Sequence, residues 1–292
     1  MTNLNPWQSA GLAGVMRPGA NQGIVVYVDG TGPDTNDGLS VNTPKASFSD
    51  ALDLCTDNHN DYIIVLDYWA AATEAAWPIA INKAMVSIIG IPYAGALWPQ
   101  VNPPGATAAF EIQAHGVEIA YLSFNAGATS AGIEWDGTAK WGGEIHHCWF
   151  GELGTAQDGI RPGGPYAKIW ACRFGAGLTR SGVYMPTNST RGMIGVPGLE
   201  SNWFRDVGGV AIEIANQFAQ GGIFNNRFAL HADVAGGAIT LANTCVGVHV
   251  DGNSACWGET AVAHNNPYLD NAAADINMWG HNYWNEVVTV PG

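Results

Sequence analysis

Positive charge is scarce in this chain. Eleven Lys and Arg stand against 25 Asp and Glu in 292 residues, for a net charge of −14. A nucleic-acid binder needs a basic face for phosphates, and the few cations are spread along the chain, so no nucleic-acid partner is expected. The same imbalance opposes long-range attraction to an acidic membrane or an acidic polysaccharide unless a cation bridges the two. Long apolar runs are missing as well. No stretch reaches the roughly 18 residues of a spanning helix, so no membrane partner is expected. The opening residues, MTNLNPWQSAGLAGVM, have no basic start and no apolar segment of useful length. A secretory leader is therefore not expected. Cysteine is limited to Cys55, Cys148, Cys172, Cys245 and Cys256. An odd, widely spaced set predicts reduced thiols and folding in a reducing cytosol.

Hydrophobic residues make up 47% of the chain and charged ones 12%, which suits a large core. Glycine is abundant, at 38 residues. A repeat runs through the middle. Phe124, Phe150, Phe174, Phe204 and Phe228 are separated by 26, 24, 30 and 24 residues. Five residues before each stands a large aliphatic: Ile119, Ile145, Ile169, Leu199 and Ile223. Another follows each Phe, at Ile133, Ile160, Val183, Ile212 and Ile239. Alternating stretches such as VAIEIA and VGVHV have the period of strands. Short strands, Gly-rich turns and one coil length per repeat predict an all-β parallel β-helix. Two residues before each repeat Phe come Leu122, Cys148, Cys172, Asn202 and Asn226, which should form ladders of like residues. Cys148 and Cys172 are then stacked core thiols rather than a disulfide or metal pair.

The segment VYVDGTGPDTNDGLSVNTPKASFSDALDLC precedes these coils. Phe48, Ala51, Leu52 and Cys55 fall on one helical face, and Ser47 with Asp50 forms a capping box. The expectation is a strand at 24–28, a polar loop at 29–46 and a short helix that covers the exposed edge of the first coil. Asp29, Asp34 and Asp37 in the loop lack the ligand spacing of an EF-hand calcium site. This segment, with PIAINKAMVSIIG after it, resembles the start of the pectate-lyase-like, right-handed, single-stranded parallel β-helix superfamily. The resemblance implies a fold more than a function. That superfamily includes pectin-degrading enzymes, bacterial surface proteins, phage tailspikes and other virion proteins.

Catalytic motifs of the superfamily are not matched. Where polygalacturonase-type members carry NTD and GHG, this chain has NTC at 243–245 and AHG at 114–116. Glu134, Asp136, Glu152, Asp158 and Asp206 remain as acids that could pair for glycoside hydrolysis. No catalytic residue is assigned, no cofactor is expected, and no metal site is read. His146 and His147 adjoin Cys148, but neighbouring strand residues point to opposite faces, so the two histidines are not expected to form one metal site. Twelve tryptophans, among them Trp135, Trp141, Trp149, Trp203, Trp257, Trp279 and Trp284, suit subunit packing or a glycan-binding face.

Two regions follow: residues 1–23 as an extended arm, and 24–292 as the β-helix, with its leading strand, loop and capping helix at 24–58. The arm is rich in Gly and Ala, and its anchors to a partner should be Leu4, Trp7, Leu12, Val15 and Met16. The expected role is a structural virion protein of a bacteriophage, a capsid-surface decoration or cement protein assembled in host cytoplasm. Its partners would be other virion subunits, the major capsid protein first, in a homotrimer. The alternative is a tailspike or secreted β-helix that binds or depolymerises a glycan.

Overall fold

The computed structural model describes residues 23–33, 35–66, 74–92, 98–127, 129–151, 156–230, 237–257, 266–272, 276–284 and 287–289. Within them the chain forms a parallel β-helix, as the repeat predicts. Three long sheets of ten, nine and eight strands, here called I, II and III, run the length of the stack. One coil passes through Glu118–Ala120 in sheet I, Ser123–Phe124 in sheet II and Ala131–Trp135 in sheet III. It then returns to sheet I at Glu144–His146. Every pairing in these sheets is parallel except the last, where Asn282–Trp284 turns back on Val287–Thr289.

The core is a set of columns. Phe124, Phe150, Phe174, Phe204 and Phe228 are paired in adjacent strands and almost wholly buried. Their rings stack at 5.0, 5.2, 4.4 and 5.0 Å between centroids. Glycines make the room. A Cβ on Gly132, Gly159 or Gly182 would fall 2.7, 2.7 or 2.5 Å from the ring of Phe150, Phe174 or Phe204. Large rings therefore need a residue without a side chain where sheet III begins. The aliphatic columns also hold: Ile133, Ile160, Val183, Ile212 and Ile239 are in register.

One member of the repeat is misplaced by the sequence reading. Ile194, not Leu199, occupies the column of Ile169 and Ile223, and Leu199 is exposed. The 30-residue unit carries extra residues between its sheet I and sheet II strands, so the five-residue offset fails there. The extra loop is turned by Gly195 and Gly198, both with positive φ. A side chain at Gly195 would collide with the carbonyl oxygen of Phe224.

The residues two before each Phe form the ladder expected of them. Cys148 and Cys172 are buried free thiols. Asn202 and Asn226 continue into Asn253 and Asn282, all fully buried. Each of the first three donates its side-chain N–H to the next Asn oxygen at 2.9 Å. Each also donates to a backbone carbonyl of sheet I: Ile169, Ile194 and Ile223, at 2.9 Å in each case.

The first coil is covered as predicted. After the strand Val25–Val28, helix α1 spans Phe48–Leu54, with the Ser47 oxygen accepting from the Asp50 N–H at 3.0 Å. Phe48 meets Phe110 edge-on at 5.0 Å, which joins the helix to the aromatic column. The Glu74 carboxylate, 26 residues on, accepts from the Phe48 N–H and the Ser49 hydroxyl. An acceptor there satisfies donors that the helix start leaves unpaired. Burial nevertheless raises the pKa of Glu74. In the preceding loop, Asp29 accepts from Thr31, and Asp37 from Leu39 and Thr43. Asp34 and the arm anchors Leu4, Trp7, Leu12, Val15 and Met16 lie outside the described residues.

Candidate functional site

Strand periodicity turns the residue before each repeat Phe outward. On sheet II these residues, with Ser254 in the same register before Ala255, are paired in the order Ser123, Trp149, Arg173, Trp203, Arg227 and Ser254; Ser123 is buried, Trp149 half-buried and the others exposed. Two tryptophans and two arginines thus alternate, one per coil, on an exposed face. The Arg173 guanidinium lies 5.5 Å from the Trp149 ring and 5.8 Å from the Trp203 ring, within cation–π range of both. Arg205 projects from the same strand as Trp203. Three of the chain's eleven basic residues therefore gather on one face of an acidic protein.

The extra loop builds a wall beside this column. Together they enclose an open cavity of about 680 Å³ lined by Ala171, Arg173, Leu199, Glu200, Trp203 and Arg227. The loop is pinned where it rejoins the coil. The Ala171 N–H donates to the Glu200 carbonyl at 3.2 Å, and the Cys172 N–H to the Asn202 side chain at 2.9 Å.

At the corner between sheets I and II, the structure departs from the premise that His146 and His147 point to opposite faces. His147 has φ 52° and ends its strand, so the alternation of faces stops there. Their Nδ1 atoms come within 2.8 Å of each other. His146 Nε2 lies 3.0 Å from Glu118 Oε1, and Glu118 Oε2 accepts from the Ser87 hydroxyl at 2.7 Å. His147 Nε2 lies 3.5 Å from Glu200 Oε2, on the cavity wall. Tyr121 stacks on His147 at 4.7 Å and Trp170 on His146 at 4.5 Å. Burial first, then His146, holds the His147 imidazole below its ordinary pKa, while Glu200 pulls it upward. Among the described residues, no group of three His, Cys, Asp or Glu is placed to hold a metal ion.

The acids named as hydrolase candidates divide. Asp158 is fully buried, bonded by Arg161 Nε at 2.7 Å and by Arg180 Nε at 2.8 Å. Glu134 reaches the same Arg161 at 3.5 Å, and burial raises its pKa. These two meet on sheet III through a shared cation, in an arrangement that anchors arginines rather than freeing two acids to act on a sugar. Asp206 pairs with Arg205 at 3.4 Å, Asp136 is exposed, and Glu152 lies outside the described residues. Of the tryptophans, Trp135 is buried in the core, and Trp279 and Trp284 pack against it. Trp141, Trp149 and Trp203 reach the surface.

Fold and surface together define a parallel β-helix with an aromatic and cationic groove on one sheet. No protein-family profile matches the chain, and no curated protein matches it. Among solved structures it is similar to a rhamnogalacturonan lyase, at 10% sequence identity and a TM-score of 0.46. The likeness covers 89% of this chain and 87% of that one, and is too distant to speak for this chain's chemistry.

Proposed function

We propose that this protein is a glycan-binding β-helix that holds an anionic polysaccharide along the outer face of sheet II. The column Trp149, Arg173, Trp203, Arg227 carries the reading. A flat exposed ring packs on the apolar face of a sugar. A guanidinium between two rings pairs with a carboxylate or sulfate on the next one. The net charge of −14 opposes such a ligand at long range, but within the groove the nearest charges decide. Calorimetry with polygalacturonate, sulfated dextran and plain dextran should show binding to the two charged polymers alone. Trp203→Ala and Arg173→Ala should each weaken it about tenfold, equivalent to ~1.4 kcal/mol. Equal affinity for plain dextran, or no effect of either substitution, would overturn the reading.

A second proposal keeps the assembly role read from the sequence. Met85, Trp141, Tyr166 and Val246 are exposed along the turns that lead from sheet III back to sheet I. An apolar stripe of this kind suits packing against other copies, in a trimer attached to a phage capsid through residues 1–23. The two proposals use different faces of the molecule.

A further inference from the structure

We propose that Glu200 gates the sheet II groove electrostatically under the control of His147, so that the groove takes anionic polymers more tightly as the solution is acidified. This rests on the reading of sheet II as an anion-binding face and adds its regulation.

Glu200 is an acid on the wall of a cavity whose other charged lining residues are Arg173 and Arg227. Its side chain is 77% exposed, so it can swing toward those guanidiniums and compete with a ligand's own negative groups. What Glu200 does depends on His147, and the hydrogen-bond chain fixes where His147 takes a proton. His146 faces the Glu118 carboxylate through Nε2, so that nitrogen carries its N–H. The His146 Nδ1 is then an acceptor, and His147 donates to it from Nδ1. That leaves the lone pair of His147 Nε2 facing a Glu200 oxygen 3.5 Å away. Two acceptors oppose each other there. A proton added at Nε2 turns the opposition into an N–H donor facing a carboxylate, and the new imidazolium offsets the charge of Glu200.

Local packing supports the arrangement. Glu200 is held next to Ala171 by the backbone bond from the Ala171 N–H to its carbonyl. The charged or titratable groups facing His147 are His146, Glu200 and Tyr121, with Glu118 behind His146. Trp170 lies edge-on to His147 at 4.8 Å and donates its indole N–H to Glu144. With its pKa held down, His147 is neutral at neutral pH, and the gate responds in mild acid.

The test measures the binding of sulfated dextran, whose charge is constant across the range, between about pH 8 and about pH 5. Wild-type affinity should rise several-fold on acidification. Glu200→Gln should bind tightly at both ends of the range. His147→Asn, which suits the left-handed backbone that Asn225 adopts at its own turn, should keep the weak affinity throughout. Because the coupling is reciprocal, sulfated dextran should also raise the His147 pKa followed by NMR. A wild-type affinity that stays flat with pH, or a rise that survives His147→Asn, would overturn the gate and leave the binding reading intact. Failure to bind sulfated dextran or polygalacturonate at any pH would overturn the binding reading, and the gate with it.

Discussion

Asn226 shows how much one side chain does in a stack. It donates to Ile194 and Asn253 and accepts from Asn202, fully buried from solvent. Asn226→Ala would leave several buried groups without partners, each costing about 1–3 kcal/mol. Urea denaturation should show a loss of that order or more, while Arg205→Ala, on the surface, should leave the midpoint nearly unchanged. The Asn ladder was half legible in the sequence, because Asn202 and Asn226 stand at one offset from a repeat Phe. Asn253 and Asn282 were not legible, since no Phe follows them to mark the register. The contact between His146 and His147 was not legible for a different reason. Alternation of faces is a property of extended backbone, and nothing in the residue type showed that His147 adopts positive φ.

At the scale of the element, glycine and phenylalanine are a matched pair set by register. Gly182→Ala would drive a methyl group into the Phe204 ring, which lies between Phe174 and Phe228 and has little freedom to move aside. Overpacking of this kind costs about 1–3 kcal/mol. Phe204→Ala alone should cost about 3–5 kcal/mol. The double variant should cost less than the sum, because the small side chain at position 204 removes the collision. Strict additivity in denaturant titrations would show that the two do not couple. The same register holds the groove. Trp, Arg, Trp and Arg stand immediately before Phe150, Phe174, Phe204 and Phe228. The column was therefore visible in the sequence once the Phe residues were placed on adjacent strands. The loop was flagged as well, by a unit of 30 residues among units of 24 to 26. Leu199 was misassigned because an aliphatic residue happened to fall at the expected offset inside that insertion.

The whole molecule is a stack whose first coil is covered by its own helix, with Phe48 over the aromatic column and Glu74 at the helix start. The capping residues all follow residue 23, so removing residues 1–23 should leave the β-helix folded with an unchanged cooperative melt. Under the assembly proposal, the same deletion should abolish attachment to phage particles, and Trp7→Ala should weaken it. Full occupancy on particles after the deletion would rule that proposal out.

The spacing of the coils gives the sheet II column a further property. Strands of a sheet repeat at about 4.8 Å, so Trp149 to Arg227 spans three steps, or about 14 Å. A pyranose chain advances by about one such strand step per sugar. Under the glycan-binding proposal the column would be a ruler graduated in monosaccharides, on which a short oligomer covers few marks and a longer one covers them all. On that proposal, a chain extending past both ends would gain no contact from its extra length along these four residues, so the column would count sugars up to a fixed number and be blind beyond it.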